Sequence, residues 1–238
     1  MVNKLNNELW VVDAGVTDYE EARALQETIA TRRRTTLNND VMILNEHPPT
    51  ITLGRMAVPN HLLATGDELA ERGVKVLNTD RGGDITFHGP GQVVGYPIID
   101  LRNSLNGGDV HQYLRNLEEA IIRALESFGL SSGRLAGFTG VWVEPDSASA
   151  RKIAAMGIKV SHWITQHGFA LNANTDLDFF NLIVPCGIAN HGVTSIAREL
   201  GCAVNIQDVH AALCNTMQNT FGYSLVRWMK REDLQELS

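Results

Sequence analysis

Apolar residues recur at helical spacing in three stretches of this chain. The clearest runs from Asp109 to Phe128, where Val110, Leu114, Leu117, Ile121, Ala124, Leu125 and Phe128 share a face and Gly129 follows as a stop signal. A second helix is predicted from a cap at Thr17 or Asp18, with Ala22, Leu25, Ile29 and Ala30 facing inward and an end near Arg34. A third starts at Asp208 and carries Val209, Leu213, Met217 and Phe221. Shorter apolar runs bounded by turn residues predict strands at Glu8–Asp13, Val41–Leu44, Thr50–Leu53, Val74–Leu77, Val93–Leu101, Val141–Val143, Ile153–Val160 and Trp163–Asn172. His47-Pro48-Pro49 reads as a turn, Asp67–Arg72 as a short helix and the polar stretch Glu144–Ala150 as a surface loop. No repeat or linker divides the chain. Many strands with a few long helices predict an α/β fold of the mixed α+β kind: one domain over residues 1–238, with a mixed β-sheet packed with helices.

Composition narrows the class without changing it. A chain of 238 residues can bury one substantial core, and 44% hydrophobic with 20% charged residues is ordinary for a globular protein. The net charge of −7 argues against a general nucleic-acid binder. No apolar run approaches membrane-spanning length, and MVNKLNNELWVV carries no signal-peptide core or transit-peptide pattern. Three cysteines without a pairing pattern suit a reducing compartment. The expectation is a cytoplasmic enzyme that needs neither membrane nor nucleic acid. His47, His61, His111, His191 and His210 show no ligand spacing, so no metal is expected, and no cofactor.

Candidate chemistry lies in three places. Cys186 sits in the irregular run Val184-Pro185-Cys186-Gly187-Ile188, and a Pro/Gly turn can hold a thiol rigid and exposed. Lys152 opens the run RKIAAMGIKVS, where its stem can pack while its ammonium reaches a cleft and favours a nearby thiolate. A desolvated lysine can also serve as base and then acid. The segment RGGDITFHGPGQ from Arg81 to Gln92 is too glycine-rich for a helix or an ordinary strand, and lets backbone N–H groups approach a bound group closely. These pieces suggest acyl transfer through a cysteine thioester. Taken residue by residue, blander readings stand beside this one: Cys186 as a small buried hydrophobe, Lys152 as a solvated charge, and the loop as a structural turn. Cys202, in a strand-like patch, and Cys214, on the last helix, read as structural.

RGGDITFHGPGQ, RKIAAMGIKVS, HGFALN and VPCGI occur in this order, and together they resemble the lipoyl(octanoyl) transferases over roughly Leu9 to Phe221. The resemblance implies the fold shared with biotin and lipoate protein ligases. It also implies octanoyl transfer from acyl carrier protein to a lysine of the lipoyl domains of 2-oxoacid dehydrogenase complexes and of the glycine cleavage H protein. Cys186 and Lys152 then match the family's catalytic dyad, with Lys159 a weaker candidate. Arg81, Gly82, Gly83, Asp84, Ile85, Thr86, Phe87 and His88 match its substrate-binding loop, joined by Ala155, Met156 and Gly157 and by Gly168, Phe169 and Ala170. N–H groups of Gly168 or of residues 81–83 are candidate oxyanion donors, and Phe87, Ile153, Phe169 and Leu171 candidates for closing the acyl pocket. Asp84, Phe87 and His162 depart from the common pattern. Arg32-Arg33-Arg34 and Arg151-Lys152 offer basic patches for an acidic donor, although the triplet equally suits a helix C-terminus. Three rivals remain: an ATP-dependent ligase of the same fold, a non-catalytic carrier-binding protein, and a cysteine hydrolase using His88 or His167.

Overall fold

The computed structural model describes residues 8–102, 108–184 and 191–233. Among these, nine strands form one mixed sheet and three form a second. The large sheet begins with β1 (Glu8–Val16) and β2 (Asp40–Glu46), which run parallel with α1 (Tyr19–Thr35) between them in the chain. It continues through β6 (Gln92–Ile98), β10 (Ile164–Asn172), β9 (Arg151–Ser161), β8 (Phe138–Val143) and β7 (Gly133–Leu135), each antiparallel to its neighbour. The strand β12 (Leu225–Met229) lies parallel outside β1, and the short β11 (Gly192–Val193) pairs with β9. The small sheet has the order β4 (Lys75–Asn78), β3 (Thr50–Leu53), β5 (Ile85–His88).

Both faces of the large sheet are covered, which explains why its central strands read as unbroken apolar runs. In β2, Val41 and Ile43 enter the cluster under α1, while Met42 and Leu44 enter the opposite cluster under α3 (Val110–Glu126) and α5 (Ile206–Phe221). Local capping starts α1 and α3 where the sequence predicts, whereas α5 is capped by Asn205, ahead of the expected start at Asp208. The Asp18 carboxylate accepts from the Glu20 N–H, and that of Asp109 from the N–H groups of His111 and Gln112. A third cluster backs the small sheet, where Phe87 stacks on Phe179 at 4.7 Å. The short helices α2 (Gly66–Glu71) and α4 (Ile196–Leu200) and 3₁₀ turns at Pro59–His61 and Leu177–Leu182 complete the described elements.

The departures from the sequence reading have local causes. A strand, β5, forms inside the glycine loop because its four residues alternate between two buried surfaces. The strand expected to reach Leu101 ends at Ile98, beyond which Asp100 makes an isolated bridge to Ile164. Gly201–Val204 is a turn rather than a strand, and leaves Cys202 exposed. Arg33, in the basic triplet, is 8% exposed and donates to Asp40 at 2.9 Å and to the Leu37 carbonyl. It ties the end of α1 to β2 and is not presented to a partner.

Candidate active site

Strand alternation divides the glycine-loop segment between two surroundings. Ile85 and Phe87 point into the cluster behind the small sheet. Thr86 and His88 face a narrow cavity between the sheets, which Val94 and Tyr96 of β6, Ala155, Met156 and Gly157 of β9, and Gly168, Phe169 and Ala170 of β10 also line. Tyr19, Arg81 and His167 complete its wall. A second, small space shares Thr86, Ala155 and Ala170 and adds Lys152, Gln92 and Asn172. An open groove of about 1210 Å³ runs past Gly82, Gly83, Asp84, Phe138, Met156 and Gly157, and also reaches Lys152. Lys152 thus stands where an inner space meets an outer one. Ile153 and Leu171 lie in the core on the opposite face of the sheet, so of the four proposed pocket-end residues only Phe169 borders the cavity.

A β-bulge sets the direction of Lys152. Pairing shifts between Val141↔Ala154 and Trp142↔Lys152, so two steps on β9 oppose one on β8. Ile153 and Ala154 turn into the core and Lys152, 8% exposed, turns to the groove. Its stem crosses Gly140, where a Cβ would stand 3.4 Å from Lys152 Cε, and its Nζ lies 4.8 Å from the centre of the Trp142 ring. Neighbouring Arg151 is bound at 2.6 and 2.7 Å to both oxygens of Glu199, so residues 151–152 present no free basic patch. Lys159 lies farther along β9, in an ion pair with Asp80 at 2.6 Å.

A run of hydrogen bonds connects the loop to this lysine. His88 Nδ1 donates to Gln92 Oε1 (2.8 Å), Gln92 Nε2 to Asn172 Oδ1 (2.9 Å), and Asn172 Nδ2 to the Thr194 carbonyl (3.0 Å). The Thr194 N–H in turn donates to the Lys152 carbonyl at 2.9 Å. The polar loop residues are similarly occupied. Arg81, 6% exposed, donates to Thr52 and to the Gly82 carbonyl, and Asp84 accepts from the Val58 N–H and pairs with His61. The Gly82 N–H donates to the Ile158 carbonyl at 2.9 Å, which removes it as an oxyanion donor. The loop glycines let backbone pass backbone: a Cβ on Gly157 would come within 2.7 Å of the Gly82 carbonyl. Cys186 lies outside the described residues.

The chain matches the family described as the lipoyl protein ligase A/B catalytic domain over residues 18–218. It is 48% identical over 211 residues to an octanoyltransferase of Chloroflexus aggregans, covering 87% of this chain and 93% of the relative. This chain belongs to the lipoyl protein ligase A/B family, among its octanoyltransferases. An octanoyltransferase of Myxococcus xanthus is 45% identical over 90% of the chain, which spans 60% of that relative's length. The fold also matches a bipartite lipoate protein ligase from Thermoplasma acidophilum, with a TM-score of 0.73 at 18% identity, over 97% of this chain and 90% of that one. An acyltransferase with the lipoate ligase fold is therefore the frame for the site.

Several residues of this octanoyltransferase site escape sequence reading. Tyr19, His47 and Tyr96 gather with His88 beside the cavity, their rings 5.1 to 6.0 Å apart. His47, read as part of a turn, is fully buried; its Nδ1 donates to the Thr17 carbonyl, and its Nε2 accepts from the Tyr96 hydroxyl, both at 2.7 Å. Burial lowers the pKa of His47 to about 4 and that of His88 well below the ordinary imidazole value of 6.5. It also lowers His167, although His167 donates through Nε2 to Asp80 at 2.8 Å. Burial would raise the Asp80 carboxyl, but hydrogen bonds from Lys159 and His167 outweigh it and hold it down to about 2.

Acid is expected to destabilise this family member. The buried imidazoles stay neutral in the folded chain and take up protons on unfolding, so stability is lost as pH falls from about 6.5 towards about 4. His47 alone is worth roughly 3 kcal/mol across that window, because each tenfold difference in proton affinity between the folded and unfolded chain is about 1.4 kcal/mol. Urea unfolding followed between about pH 7 and about pH 4 is expected to show this loss, and a flat profile would contradict it.

Proposed function

We propose that this chain moves an octanoyl group from acyl carrier protein to a lysine of lipoyl domains through a thioester on Cys186. The position of Lys152, nearly buried where the inner cavities meet the open groove, is the observation that carries this reading. The Cys186 thiolate attacks the donor thioester, and the departing pantetheine thiolate takes a proton from the Lys152 ammonium. The acceptor amine then attacks the acyl-enzyme, the Cys186 thiolate leaves, and Lys152 receives the proton that the amine sheds as the amide forms. The cavity lined by Val94, Ala155, Met156 and Phe169 supplies an apolar place for the acyl chain, worth about 0.8 kcal/mol for each methylene it buries. The acceptors are the lipoyl domains of 2-oxoacid dehydrogenase complexes and the glycine cleavage H protein. The chain works in the cytoplasm as one catalytic unit, and among its described residues no helix is long and apolar enough to cross a membrane.

Intact-mass measurement after mixing with octanoyl carrier protein tests the reading. The expected product is one added octanoyl group, located on Cys186 and labile to hydroxylamine. Activation of free octanoate by ATP without that adduct would favour an adenylate-forming ligase. Release of octanoate to water in place of transfer would favour a hydrolase.

A further inference from the structure

Trp142 is 1% exposed, and its indole N–H has no hydrogen-bond partner among the described residues. Burying that N–H unpaired costs free energy that a phenylalanine in the same place would avoid. The tryptophan is better explained by its ring. His191 meets it edge-on at 5.5 Å and 76°, Phe138 tilts against it at 6.0 Å, and these two rings touch each other at 5.8 Å. Trp142 is thereby locked in orientation, with its face under the Lys152 ammonium at 4.8 Å. Gly140, two residues earlier on β8, leaves the room through which the lysine stem passes.

We propose that Trp142 is the positioning residue for Lys152: its ring face holds the ammonium at the junction of cavity and groove. This rests on the proton-carrying role of Lys152 given above. An aromatic face attracts a cation far more than a neutral amine, so the contact both aims the lysine and favours its protonated state. Among the described residues, the charges packed around this contact are paired with one another. On α3, Glu118 bonds Arg115, Arg134 and the Gly140 N–H; on β9, Arg151 binds Glu199 of α4 and Glu144 beyond β8. Among the described residues, His191 is the other titratable group of this cluster, and it addresses the same ring by its edge.

The test compares Trp142→Leu and Trp142→Phe with the unaltered chain in two assays. One is octanoyl transfer from octanoyl-pantetheine; the other is the pH dependence of acetic anhydride labelling at Lys152, read by mass spectrometry. Trp142→Leu is expected to slow transfer about tenfold with little change in KM, and to move the labelling curve about one pH unit lower. Trp142→Phe, which keeps a weaker ring face, should fall between. A Leu curve that superimposes on the unaltered chain, or a Phe variant as impaired as Leu, overturns the proposal. If the Leu variant does not fold, the Phe curve decides alone: a partial downward shift supports the proposal and an unshifted curve overturns it. Full transfer by Lys152→Met would sink the functional reading while leaving the ring contact standing. Inactive Lys152→Met beside an inert Trp142→Leu would sink the positioning role alone.

Discussion

Replacing Lys152 with methionine is expected to leave a folded protein whose octanoyl transfer falls by about a thousandfold, within the range typical of a lost acid–base group. The stem of Lys152 already lies in an apolar slot over Gly140 and beside Trp142, and methionine fills such a slot without a charge. Stability should therefore change little. Chemistry should not survive, because both half-reactions need a group that gives up a proton and recovers it. Single-turnover experiments separate the steps: formation of the acyl-enzyme and its discharge to the acceptor should both slow, at nearly constant KM. If only discharge slowed, Lys152 would serve the amine and not the leaving thiol. Undiminished transfer would remove Lys152 from the mechanism.

Glu118→Ala is expected to cost about 3–5 kcal/mol, the range for removing one partner of a buried ion pair. The Glu118 side chain is fully buried and accepts from Arg115 at 2.6 Å, Arg134 at 3.0 Å and the Gly140 N–H at 3.0 Å. Both arginines are at least a third exposed and can turn to water, which favours the lower end of the range. The Gly140 N–H cannot. In a chain of this size the loss lowers the melting temperature by about 10 °C. Glu118→Gln, which can still accept from Gly140, should lose less. A cost below about 1 kcal/mol would mean that β8 needs no tether from α3.

Helices and central strands were legible because their signals are local. The apolar face of α3 and the continuous core of β2 follow from residues close in the chain. The glycine loop was legible as a place and not as a set of roles. Strand alternation sends Thr86 and His88 to the cavity and Ile85 and Phe87 to the other side, and the register deciding this comes from pairing with β3. Ile153 and Leu171 were assigned to the acyl pocket although they face the opposite core, since the period of an apolar strand buried on both sides does not say which face holds the ligand. Trp142 and His191 escaped because their contacts cross from strand to strand and bring together residues distant in the chain. Arg33 misled in the other direction: a triplet of arginines looks like a surface until Asp40 and Leu37 are folded against it.

Gly157 and Gly168 stand opposite each other in the β9–β10 ladder. A methyl group on Gly157 would run into the Gly82 carbonyl, and one on Gly168 would come within 2.2 Å of the Gly95 carbonyl. Both contacts are with main chain, which cannot rotate aside. Any lineage that inherits this cavity is therefore confined to glycine at the two positions, whatever acyl group its members come to prefer. The acyl chamber can diverge through the side chains that border it, at Val94, Ala155 and Met156, while this pair stays fixed. Invariance at Gly157 and Gly168 would then record a steric boundary on evolution and carry no information about chemistry.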